Sequence, residues 1–90
     1  MTEDVVNLTS QRIMLIIKGK LKETKGEYID YCLENIFDEC ELPKLKLKLH
    51  IAGKGICTNQ VVSDCLSLED ISKIHDIMRE FAKQNKVNIM

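Results

Sequence analysis

The sequence predicts an α+β domain of the ferredoxin-like βαββαβ type, with two helices on one face of a four-stranded antiparallel sheet. Two segments, 25–41 and 67–84, place apolar residues at three- and four-residue steps, which is typical of amphipathic helices. A third segment, 44–51, alternates polar and apolar residues, which is typical of a half-buried strand. The alternative is an α+β form with an N-terminal helix, a β-hairpin or three-stranded sheet, and the two later helices.

The composition indicates one globular domain over residues 1–90, with 1–10 as a candidate flexible segment. A chain of 90 residues is too short for two independent hydrophobic cores. Its 44% hydrophobic and 30% charged residues are ordinary for a folded domain and exclude a disordered tail or a low-complexity fibre. Because only 4% of the residues are aromatic, we expect an aliphatic core.

The first element, residues 12–21, is predicted to be a central strand. It is an apolar, β-branched run with Gly19 in its interior, and both features favour a strand over a helix. A helix capped at Thr9 or Ser10 would align the same isoleucines on one side. Periodicity alone therefore leaves both structures open.

The second element, residues 25–41, is predicted to be an amphipathic helix that ends before Pro43. Its carboxylates fall on the side opposite the apolar stripe. The stripe consists of Ile29, Cys32, Leu33, Ile36, Phe37 and Cys40.

A hairpin, a second helix and a short strand complete the predicted order. Gly53 and Gly55 provide a turn between the strand at 44–51 and a β-branched return at 56–62. Ser67, with Asp70 three residues later, forms a variant of the capping box that begins a helix ending near Gln84. The alternating tail 86–90 predicts an edge strand.

Strand parity predicts a basic face on the side of the sheet that the helices leave open. Alternate side chains of a strand point to opposite faces, so the polar residues of the first two strands should lie together. This candidate partner-binding face consists of Arg12, Met14, Ile16, Lys18, Lys20, Lys44, Lys46, Lys48 and His50. A second candidate face, on the acidic helix, consists of Tyr28, Tyr31, Glu27 and Glu34.

These faces favour a small non-enzymatic regulatory or inhibitor-type protein that binds another protein and forms a homodimer through its sheet face. The alternative is an RNA- or DNA-binding module that uses the basic face. A net charge of −1 disfavours a protein whose whole surface contacts phosphates. The aromatic residues that stack on bases in sheet-surface RNA readers are missing from the predicted face.

No spacing in the sequence indicates catalysis, a metal or a cofactor. Cys32 and Cys40 would lie about 12 Å apart along a helix, too far to share one zinc ion. Cys57 and Cys65 lack the close pairing of zinc ribbons, so we expect four free thiols. Neither His50 nor His75 has a convincing catalytic partner.

The chain is expected to be cytoplasmic and to have no membrane partner. Its longest purely apolar run, residues 13–17, is far shorter than the roughly 20 residues that cross a bilayer. Glu3 and Asp4 stand where a secretory signal would carry positive charge.

Overall fold

The structure is a computed structural model that describes residues 2–25, 27–37, 45–53 and 55–89. Within these residues the chain forms two helices and four strands. In chain order they are α1 (Thr2–Glu23), β1 (Ile29–Phe37), β2 (Leu45–Gly53), β3 (Ile56–Leu66), α2 (Leu68–Gln84) and β4 (Val87–Ile89). The order αβββαβ shows that the ferredoxin-like βαββαβ prediction is wrong. The alternative has the N-terminal helix right, but it too places a helix where β1 lies.

The four strands form one mixed sheet in the order β3-β2-β1-β4. Strands β1 and β2 are antiparallel, as are β2 and β3, whereas β4 runs parallel to β1. The predicted sheet was antiparallel throughout, so its topology is also corrected. Strand β4 is short, and in the described ranges it pairs with Ile29, Asp30 and Tyr31 at the start of β1.

Helix α1 replaces the predicted first strand. Val6, Ser10, Ile13 and Ile17 recur at three- and four-residue steps and are all buried, so the helical period extends well upstream of the β-branched run. A Cβ at Gly19 would meet no atom within 4 Å, so this glycine lies on an open part of the helix. Packing of the buried stripe outweighs the strand preference of the isoleucines.

Strand β1 replaces the predicted second helix. Ile29 and Tyr31, two residues apart, are 1% and 2% exposed and belong to the core. The stripe at three- and four-residue spacing was a coincidence, because Ile29, Leu33 and Phe37 also fit the two-residue period of a strand. Tyr31, expected on an acidic helix, therefore lies beneath the helices.

The alternation predicted for β2 is observed. Leu45, Leu47, Leu49 and Ile51 are buried, while the side chains between them are only half-buried. Strand β3 pairs with β2 through two register shifts, between Leu45 and Lys46 and between Leu47 and Lys48. Each shift is a β-bulge, which adds a residue to one strand and bends it.

Helix α2 begins as predicted, at a capping box in which Ser67 and Asp70 each accept a hydrogen bond from the other's backbone N–H. Both helices pack on one face of the sheet, and Arg12 of α1 reaches β3. The core between the layers includes Ile13, Ile17, Tyr31, Leu47, Leu49, Ile51, Ile71, Ile74 and Met78.

Candidate functional site

The open face is the side of the sheet opposite the helices. The half-buried side chains of β2 point to this side because their neighbours point into the core. The register of the strands places partners from β1 and β3 beside them. We define the open face by Cys32, Glu34, Ile36, Lys46, Lys48, His50, Asn59, Val61 and Asp64.

Acidic and basic residues alternate across the open face. Glu34 of β1 is paired with Lys48 of β2, and Lys48 is paired in turn with Val61 of β3. In the next row, Lys46 is paired with Asp64. Opposite charges on adjacent strands stabilise a sheet, and the acidic neighbours lower the net positive charge of the open face.

One open-face contact is well defined. His50 Nε2 lies 2.7 Å from Glu34 Oε1, in a hydrogen bond between β2 and β1. Both side chains are partly exposed, and Cys32 is the register partner of His50 on β1. The carboxylate therefore orients the imidazole on a solvent-accessible surface.

The structure divides the nine residues of the predicted basic face between two sides of the molecule. Lys46, Lys48 and His50 lie on the open face, and Lys44 lies outside the described residues. The other five lie on α1, in the helical layer, because 12–21 is not a strand. They are Arg12, Met14, Ile16, Lys18 and Lys20. The single basic face is thus corrected to a smaller surface of mixed charge.

The α1 members of that set make local contacts. Arg12 donates a 2.8 Å hydrogen bond to the carbonyl of Val62 on β3. Lys18 Nζ lies 5.9 Å from the centroid of the Phe81 ring, and both residues line a shallow cleft between the helices together with Met14. Lys20 Nζ lies 3.3 Å from Glu23.

The second predicted face is also dispersed, because its residues do not share a helix. Tyr28 is 60% exposed and Glu27 is exposed, both in the connection between α1 and β1. Glu34 is on the open face, whereas Tyr31 is buried on the opposite side of the sheet. Burial raises the pKa of Tyr31, and the nearby Arg79 guanidinium opposes that shift.

A groove that sequence reasoning missed lies between β1 and α2. Its volume is about 430 Å³. We call it the edge groove and define it by its lining residues, Asn35, Leu68, Ile71, Ser72, His75 and Arg79. No local signal reveals this site, because it requires β1 to be a strand and α2 to lie beside its outer edge.

The side chains that could ligate a metal are the histidines, cysteines, aspartates and glutamates of the described residues. No group of three or more His, Cys, Asp or Glu side chains in these ranges is placed to hold a metal ion. Cys32 and Cys57 are free thiols, while Cys40 and the side chain of Cys65 lie outside the described part of the chain. No described helix has the length and apolarity needed to cross a membrane.

Comparison with known proteins gives no match to this chain: no protein-family model, no curated protein and no solved structure is significantly similar. The open face and the edge groove are therefore the basis for assigning a function.

Proposed function

We propose that this chain is a small non-enzymatic protein of the regulatory or inhibitor type that acts by protein–protein binding. Its docking surface is the open face, and its first partner there is a second copy of itself. The observation that carries this proposal is the placement of Glu34 beside Lys48 on a sheet face that both helices leave uncovered.

Charge complementarity between two copies supports this partner. A two-fold axis parallel to the strands, between β1 and β2, would lay β1 of one copy over β2 of the other. Because Glu34 and Lys48 share a register position, each Glu34 would then face Lys48 of the second copy. The pair occurs twice in a symmetric dimer, and such pairs fix orientation and register.

Apolar atoms on the open face supply affinity in this arrangement. Val61, which is 49% exposed, is the register partner of Lys48, and Ile36 is the partner of Lys46. Burial of apolar surface favours association, whereas the charges around it set specificity. The acidic residues also argue against nucleic acid, since Glu34 and Asp64 beside the lysines weaken the positive potential that phosphates require.

Light scattering across a wide concentration range tests the proposal. We expect a monomer–dimer equilibrium that Lys48→Glu abolishes, because the new carboxylate would face Glu34 of the second copy. The charge-swapped double variant Glu34→Lys/Lys48→Glu is the matched control, and dimer formation should return in it. A wild-type chain that stays monomeric at every concentration contradicts the proposal, as does a dimer that Lys48→Glu leaves intact.

A nucleic-acid titration separates the alternative function. RNA or DNA binding through Lys46 and Lys48 would weaken steeply with added salt and disappear on charge reversal of both lysines. We expect no such binding. Salt-sensitive binding that these reversals remove would support the RNA- or DNA-binding alternative in its place.

A further inference from the structure

The outer edge of β1 is paired along only part of its length. Strand β4 pairs with the first three residues of β1 and ends at Ile89, opposite Tyr31. Beyond that point, residues 33–37 are paired with β2 on the inner side. Among the described residues, none pairs with 33–37 on the outer side.

The backbone groups at this free edge have a defined direction. Ile29 N–H donates to the carbonyl of Lys86, 3.2 Å away, so Ile29 directs its backbone groups toward the β4 side. Residues of the same parity in a strand direct their N–H and C=O groups the same way. Leu33, Asn35 and Phe37 therefore direct donors and acceptors along the continuation of β4, where no described residue pairs with them. Such a row is a template for another strand.

Helix α2 lies on the other side of the space beside residues 33–37 of β1. Leu68 and Ile71 line the edge groove opposite Asn35. Leu68 is 65% exposed and Phe37 is 69% exposed, so apolar surface flanks the free backbone groups. A groove bounded by a strand edge and a helix admits an extended chain whose alternate side chains enter it.

One end of the groove holds Arg79, which also pairs with Asp76, and the other end is apolar. Burial lowers the pKa of His75, so Arg79 supplies the positive charge of this groove near neutral pH. Arg79 lies near Tyr31, since its charge acts on that phenol, and it also lines a cleft with Val87 and Ile89 of β4. Leu68 lies toward the opposite end, because it follows Leu66, whose register position is that of Leu45 and Phe37. His75 and Arg79 therefore lie beside the earlier residues of β1, and Leu68 lies beside the later ones.

We propose that the free edge of β1 binds an extended segment of a partner protein as an added strand, in line with β4 and parallel to β1. Its first inward side chain is a carboxylate near His75 and Arg79. The next inward side chains are β-branched and apolar, and they contact Ile71 and Leu68. This site differs in position and partner from the open face, where a second copy docks.

A designed peptide tests this proposal by amide-resolved NMR and hydrogen exchange on the full chain. The probe is TETVTVT, acetylated and amidated, in which the glutamate and the two valines share one side. We expect saturable shifts in the edge groove and new protection of the amides of Leu33, Asn35 and Phe37. The amides of Glu34 and Ile36 point to β2 and should change little. A control peptide with lysine in place of glutamate should bind more weakly.

Asn35→Pro is the decisive variant because it removes one outward N–H and leaves the β1–β2 ladder intact. We expect it to weaken peptide binding roughly tenfold, the value of one well-made hydrogen bond. The matched control Asn35→Thr also changes this side chain but keeps the N–H, so it should bind the peptide more tightly than Asn35→Pro does. Lys48→Glu, which disrupts docking at the open face, should leave peptide binding unchanged, so the two proposals fail separately.

Four results would overturn the inference. The first is a peptide titration that shifts no resonance of 33–37, and the second is equal binding by Asn35→Pro. The third is protection of the Leu33, Asn35 and Phe37 amides in the dilute free protein, which would show that this chain already covers its own edge. The fourth is protection that rises with protein concentration alone, which would assign the edge to a second copy.

Discussion

The outer edges of the sheet, on β3 and on the second half of β1, are built differently. Strand β3 spans 11 residues, and two register shifts interrupt its ladder with β2. The Arg12 side chain also donates to a β3 carbonyl, that of Val62. The β1 edge at 33–37 has a regular ladder with β2. Bulges deter strand addition, so the difference in regularity favours β1 as the edge for an added strand.

Truncation of a core side chain at the end of β3 should give the largest change in the free energy of unfolding. Leu66 is fully buried after the second bulge, so Leu66→Ala should lower the free energy of unfolding by about 2–5 kcal/mol. Phe37→Ala, in residues 33–37 of β1, should change the free energy of unfolding by less than about 0.5 kcal/mol. Urea unfolding of both variants measures the difference. Equal losses would show that the β1 edge is packed in solution as β3 is.

Proline substitution at neighbouring positions of β1 should give the next largest difference. Ile36→Pro removes an N–H that pairs with β2, whereas Asn35→Pro removes one that faces outward. We expect the first variant to be less stable than the second by about 1–3 kcal/mol, the cost of an unmade buried hydrogen bond. Equal stabilities in thermal or urea unfolding would contradict the assigned direction of the backbone groups.

Loss of the Arg12 contact should have a smaller effect. Arg12→Ala removes the hydrogen bond to the Val62 carbonyl, and we expect a loss of about 1 kcal/mol. Hydrogen exchange should also become faster in β3 but stay unchanged in β1. Lys83→Ala, which removes an exposed pair with Glu80, is the matched control. Faster exchange in both strands would show that Arg12 supports the whole sheet and not one edge.

The smallest expected change in stability concerns Tyr31, in the part of β1 that pairs with β4, and it appears only at alkaline pH. Burial raises the folded-state pKa of Tyr31 above its ordinary value of 10.0, because the neutral phenol is favoured in the core. Its contribution to stability is fully present below pH 10 and is lost as pH rises through the folded-state pKa. Thermal unfolding should show a decline above pH 10 that Tyr31→Phe removes and Tyr28→Phe retains. An unchanged decline in Tyr31→Phe would assign it to other groups.

The sequence predicted the elements that a single period describes. Alternation over 44–51 identified β2, and the Ser67–Asp70 capping box identified the start of α2. The first two elements were exchanged because their apolar residues fit both periods. Tyr31 was placed on the acidic face of a helix, and this hid the strand. Val6 lies upstream of the segment 12–21 that was considered, and this hid the length of α1.

Part of the open face could be predicted from the sequence, and the edge groove could not. Lys46, Lys48 and His50 follow from alternation within one strand, so their common face was foreseen. The edge groove depends on which strands are neighbours and on where β4 ends, and these are contacts between residues far apart in the chain. A local pattern carries no information about such contacts.

The shortness of β4 determines which ligand lengths the edge can accommodate. A bound segment that covers only 33–37 lies end to end with β4, whose last described residue, Ile89, pairs with Tyr31. A longer segment gains further hydrogen bonds in that direction only by displacing β4 from Ile29 and Tyr31. Affinity should therefore increase as a ligand grows to fill 33–37 and then stop increasing, because a longer ligand competes with β4 for the same edge of β1.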